Sequence, residues 1–161
     1  MTSLHLFARG LAATVFVLAL GACAQMGMGR GSGGASGAGG AGGGMETYRA
    51  TLSAAQEVPP VTSAGRGSAE VTVNPSSMAM TYRVTYSGLT GPATMGHIHG
   101  PAAAGQNAGV KIPFQSVAQS PIQGGATLTA EQYADLKGGR YYVNIHTAAH
   151  PGGEIRGQLT R

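Results

Sequence analysis

The sequence predicts an all-β domain, a sandwich or barrel of about seven to eight strands with one short helix. Three observations predict it. Short runs rich in Val, Thr, Tyr and Ile alternate apolar and polar residues with a period of two. Gly, Pro and Asn punctuate those runs at short intervals. A single stretch carries both the start and the stop signals of a helix.

Before the domain comes a segment that the sequence marks for export. Residues 1–22 carry Arg9, an apolar run from Leu11 to Leu20 and the small residues Gly21 and Ala22, the layout of a secretory signal peptide. That run falls short of the roughly 20 apolar residues a bilayer-spanning helix needs. Leu20-Gly21-Ala22-Cys23 has the pattern of a lipobox, which predicts cleavage before Cys23 and a lipid on its thiol. Several acyl chains together give stable anchoring where one does not. Cys23 is the sole cysteine, so no disulfide forms within the chain and the domain rests on its packed core. Ala24, where an inner-membrane retention signal has aspartate, favours a lipid-anchored protein of the bacterial cell envelope, on the outer membrane facing the periplasm. Residues 23–45 are the lipidated Cys and a tether of Gly, Ala and Ser, too poor in apolar surface to order itself and with a reach on the order of 25 Å.

The β domain spans residues 46–161. Its strand candidates in order are Tyr48 to Ala54, Ala69 to Val73, Met78 to Tyr86, Thr94 to His99, Val110 to Phe114, Tyr141 to Thr147 and Glu154 to Leu159. The second and third form a hairpin across Asn74-Pro75-Ser76-Ser77, whose residues carry turn chemistry. Met78 and Met80 fall on the core-facing phase, whereas Met26 and Met28 lie in the tether. Gly91-Pro92, Gly124-Gly125 and Pro151-Gly152-Gly153 read as breakers. The helix spans Ala130 to Lys137, with Thr129 and Gln132 as a capping box, Gly138 as the stop, and Tyr133 and Leu136 facing the sheet.

Four of the five histidines fall in this domain, as His97-Ile98-His99 and His146-Thr147-Ala148-Ala149-His150. On a strand, His97 and His99 project from one face about 7 Å apart, within reach of a single metal ion. Val143 and Ile145 face inward, which turns Tyr142, Asn144 and His146 outward. Where the two groups meet, His97, His99, His146 and His150 make a nitrogen-rich site suited to copper or zinc. Glu154 is then a candidate for a further oxygen ligand or for orienting a ring from behind. The competing reading has these histidines bonding loop backbone at strand ends. Acidic residues otherwise read as solvated surface charge, and Glu154 and Arg156 as the wet face of a final strand.

The stretches Leu52 to Val61, Tyr86-Ser87-Gly88-Leu89, Gly96-His97-Ile98-His99-Gly100-Pro101, Tyr142 to Thr147 and Pro151 to Leu159 together resemble the CHRD domain, the module named after chordin and found alone in many bacterial proteins. The resemblance implies an immunoglobulin-like β-sandwich or Greek-key barrel. In chordin such domains belong to an extracellular antagonist of growth factors, which carries over to a bacterial envelope protein as fold-level analogy alone. The His-x-His strand is also similar to the copper-binding strand of copper/zinc superoxide dismutases. The chain departs from that family in lacking the disulfide cysteines and the long metal-binding loop, since ten residues separate His99 from Val110.

Three readings follow. The first is a lipid-anchored binding module that holds copper or zinc on its histidines. The second is a metal-free envelope module with loop-capping histidines and a protein or polysaccharide partner. The third is a dismutase-like redox enzyme. No catalytic motif such as a Gly-x-Ser-x-Gly elbow is present, so no catalytic residue is assigned. Arg9 and Arg30 lie outside the domain, which leaves eight of ten basic residues against six acidic ones, a net charge of +2. With no basic cluster interleaved with aromatics, nucleic acid is not an expected partner. The membrane is, through the lipid.

Overall fold

Alternation of side chains along eight short segments builds one antiparallel sheet that curls almost into a barrel. The computed structural model describes residues 44–161. The signal peptide, Cys23 and the tether as far as residue 43 lie outside the described residues. In chain order the strands are β1 (Glu46–Ser53), β2 (Arg66–Val73), β3 (Ala79–Ser87), β4 (Ala93–His99), β5 (Val110–Pro113), β6 (Ile122–Thr127), β7 (Tyr142–Thr147) and β8 (Ile155–Gln158). Helix α1 (Ala130–Lys137) joins β6 to β7, and a 3-10 turn at Ala54–Gln56 follows β1. Across the sheet the order is β5-β4-β7-β8-β1-β2-β3-β6. Strands β3 and β6 therefore pair across an excursion through β4 and β5, as a Greek-key path requires.

The β2–β3 hairpin forms over its full length from Arg66↔Ser87 to Val73↔Met80. The Asn74 side chain accepts the backbone N–H groups of Ser76 and Ser77 and fixes the turn. Helix α1 has the expected bounds and the reciprocal Thr129–Gln132 capping box, and Leu136 is fully buried beneath it.

One strand departs from expectation. Gly124-Gly125 is not a break but the middle of β6, which pairs with β3 from Ala79↔Thr127 to Val84↔Ile122. Glycine stands there because Tyr82 of β3 packs onto the backbone: a Cβ on Gly124 would run into the Tyr82 hydroxyl, and one on Gly125 would lie 2.8 Å from the Met80 carbonyl.

The core is the inner face of all eight strands, with Leu52, Val71, Val84, Ile98, Val143, Ile145, Ile155 and Leu159 fully buried. Phe114, just beyond β5, sets its ring 4.6 Å from that of Tyr82 and closes the seam between the end strands from inside. Tyr86 of β3 closes it further along, donating its hydroxyl to the Val117 carbonyl at 2.6 Å. At the other end of the domain, Arg49 of β1 bridges Thr160, and Arg161 pairs with Glu46 at 2.9 Å.

Outside, the barrel has two characters. Strands β1, β2 and β3 expose Arg49, Glu70 and Arg83 in one register row, with Arg49 and Glu70 paired at 2.9 Å. Strand β7 is buried on both faces. Segments around Glu57, Ala108 and Pro151 lie over its outer side, the first two joined by the Asn107 amide donating to the Val58 carbonyl. This overturns the wet final strand: Arg156 is 2% exposed and Glu154 is fully buried. Among the described residues, no helix is long and apolar enough to cross a membrane.

Candidate metal centre

Register brings the histidine groups together. Strand β4 pairs with β7 so that His97 lies opposite Asn144 and His99 opposite Tyr142. His146, two residues beyond Asn144, is the diagonal neighbour of His97 on the same outer face, a separation that long and aromatic side chains span. The three rings gather with centroids 5.0 Å apart for His97 and His146, 5.3 Å for His97 and His99, and 6.2 Å for His99 and His146. One nitrogen from each lies within 4.8 Å of the others. Metal–nitrogen bonds of about 2.0–2.1 Å hold two ligands no more than about 4.1 Å apart, so ring movements of about 1 Å close the set around an ion.

The hydrogen bonds of the rings decide which nitrogens are free. His99 Nδ1 lies 3.0 Å from the Ala108 carbonyl and His146 Nδ1 lies 2.9 Å from the Pro151 carbonyl. A carbonyl only accepts, so each Nδ1 carries the proton, and in the neutral ring each Nε2 keeps its lone pair. His99 Nε2 is buried without a hydrogen-bond partner. His146 Nε2 lies 3.1 Å from His97 Nδ1, which must therefore donate to it. Burial lowers the pKa of all three rings. The neighbouring rings add to the effect at His97, which falls to about 4, and at His99. Neutral imidazole, the form that coordinates metal, thus prevails at neutral pH.

The profile of the CHRD domain family matches residues 48–159, from β1 to the end of β8 and across every stretch just described. The chain belongs to the CHRD domain family. Neither a curated protein nor a solved structure matches it.

In this CHRD domain the triad is one edge of a buried polar layer. The Tyr142 ring stacks on His99 at 4.9 Å and 3°, and the Arg156 guanidinium lies 3.5 Å above the other partner in that stack, the Tyr142 ring. Arg156 donates to Asn107 Oδ1 and to the Gln106 carbonyl, so its buried charge is met by oxygen and by a π face. Asn144 donates to both oxygens of Glu57 at 2.9 and 3.0 Å. Burial pushes the Glu57 carboxyl up to about 7, against the Arg156 charge and the bonds from the Val58 N–H and Asn144. Gly153, at φ +134, leaves the room that this pair fills: a Cβ there would lie 2.6 Å from Glu57 Oε1 and would overlap the Asn144 amide.

The other two residues singled out from the sequence lie elsewhere. His150 is outside the triad, in the turn between β7 and β8, where its backbone N–H donates to the Thr147 carbonyl. Glu154 does not back a ring. It accepts hydrogen bonds from the hydroxyls of Ser63, Thr90 and Thr147 and from the Thr90 N–H. Burial alone would raise its pKa, but these four donors hold it down to about 2, and it ties three loops together as a carboxylate. Sequence reasoning took Glu57 for a solvated charge and gave Asn144, Tyr142 and Arg156 no role. One signal was available. Tyr142 puts a large ring on the outward phase of β7, and such a ring gains from being covered.

Proposed function

We propose that this protein is a metal-binding module of the bacterial cell envelope, anchored by lipid on Cys23 and holding copper or zinc on His97, His99 and His146. The supporting observation is the matched pair of Nδ1–H bonds to the Ala108 and Pro151 carbonyls, which turn two Nε2 lone pairs toward a common point. Metal-ligating histidines almost always spend the second nitrogen on such a partner, which fixes tautomer and ring orientation. His97 becomes the third ligand when its proton moves from Nδ1 to Nε2, an exchange that leaves the ring neutral. Three imidazoles suit copper and zinc alike.

The same two carbonyl bonds favour the second reading, in which the histidines only pin the loops over β7. That reading leaves unexplained the buried, unpartnered Nε2 of His99, a desolvated lone pair costing roughly 1–3 kcal/mol with nothing in return.

Calorimetric titration of the chain with Cu²⁺ and Zn²⁺, beside a His97→Ala, His146→Ala variant, separates the two. Near-stoichiometric binding that the variant loses while keeping its β circular dichroism is the expected result. Equal affinity in both proteins removes the metal reading, and a lower metal-free melting temperature in the variant then supports pinning.

A further inference from the structure

We infer that Met95 is the fourth ligand of the histidine site and tilts it toward copper in the +1 state over zinc. The inference rests on the reading of His97, His99 and His146 as a metal site and adds the residue that chooses the metal.

The register places Met95 directly opposite His146, and it shares with His97 and His99 the outward phase of β4. Residues opposite each other in an antiparallel pair have Cβ atoms about 4.5–5.5 Å apart, well within the reach of a methionine side chain. The strand is irregular at this point, where the register shifts between Ala93 and Met95. Strict alternation from His99 and His97 back through Met95 would turn Ala93 outward as well. Instead a bulge between Ala93 and Met95 sets two residues of β4 against one of β7, which returns Ala93 to the core and keeps Met95 on the histidine side. Bulges re-aim side chains in this way next to functional sites.

Packing does not account for a methionine here. Met80 is buried and Met78 packs against the core, whereas Met95 is 46% exposed beside the partly covered His97 and His99; Thr94, the other exposed residue of β4, donates its hydroxyl to the His146 carbonyl. A large apolar side chain left in water, opposite His146 in the register and two residues before His97, offers one thing its neighbours lack, a soft sulfur. Thioethers favour Cu(I), while the usual zinc ligands are thiolate, imidazole and carboxylate. Three nitrogens set by the fold and one flexible thioether on the same face of the sheet therefore form a site whose tightest cargo is the soft cation.

The test uses the full chain in a Cys23→Ser background, so that the thiol does not compete. Cu(I) affinity is measured under reductant against a competing chelator, and Zn²⁺ affinity by calorimetry, for this parent and for Met95→Leu. Exposure of Met95 makes the leucine variant fold as the parent does, which a thermal melt checks. The expected result is a loss of Cu(I) affinity of about tenfold or more with Zn²⁺ affinity kept within about twofold. X-ray absorption of the Cu(I) forms should lose sulfur scattering in the variant. Unchanged Cu(I) affinity, or an equal fall for both metals, overturns the assignment of Met95 while leaving the histidine site standing. A parent that binds neither metal removes the histidine reading and the assignment with it.

Discussion

A carboxyl enclosed as Glu57 is keeps its proton to near neutrality, and that gives the domain a pH dependence with a definite sign. Its ordinary value of 4.5 rises to about 7 in the folded chain. The stability it contributes is fully present below pH 4.5 and is lost as pH rises through about 7. Glu57 therefore gives stability a downward slope, a loss on the order of 1–3 kcal/mol between pH 4.5 and about 7, while the histidines, whose folded values lie below their ordinary 6.5, pull the other way as far as about pH 6.5. Glu57→Gln keeps an acceptor for Asn144 and should flatten that slope in thermal melts. A pH profile that the substitution leaves unchanged would show that Glu57 does not titrate there. Glu154 runs the opposite way: its support is present above 4.5 and goes as pH falls toward 2. Of these residues, the histidines were legible because period two fixes which side chains share a face. Glu57 was not, because nothing local to it says that a segment from the far end of the sheet closes over it.

Strand β6 shows how an element escapes a reading built on propensity. Ile122, Gln123, Gly124, Gly125, Ala126 and Thr127 include two of the poorest strand formers, and the strand exists because Tyr82 requires a partner without side chains. Gly124→Ala should destabilise the domain by about 1–3 kcal/mol, as overpacking does. Adding Tyr82→Phe, which removes the nearest colliding atom, should return part of that loss in denaturant titrations. Strictly additive effects would mean that the two residues do not meet. Helix α1 was readable to the residue by contrast, since its capping box and terminal glycine are local in sequence. The hairpin β2–β3 was readable for the same reason.

At the scale of the molecule, the sheet divides into a wet half around Arg49, Glu70 and Arg83 and a half sealed by loops, where the histidines lie. The strand count pointed to a barrel. The seal was hidden, because loops disclose their docking only through long-range partners such as Asn107 with Val58 and Arg156 with Gln106. If the chain is held at a membrane by lipid on Cys23, then Cys23→Ser should move it from the membrane fraction to the soluble one when cells are fractionated. An unaltered distribution would count against the anchor. The pairing of Arg49 with Thr160, and of Glu46 with Arg161, brings the first and last strands of the domain out at a single point. Such a unit can be spliced into a surface loop of a larger protein, or threaded one after another like beads, without either neighbour having to stretch around it.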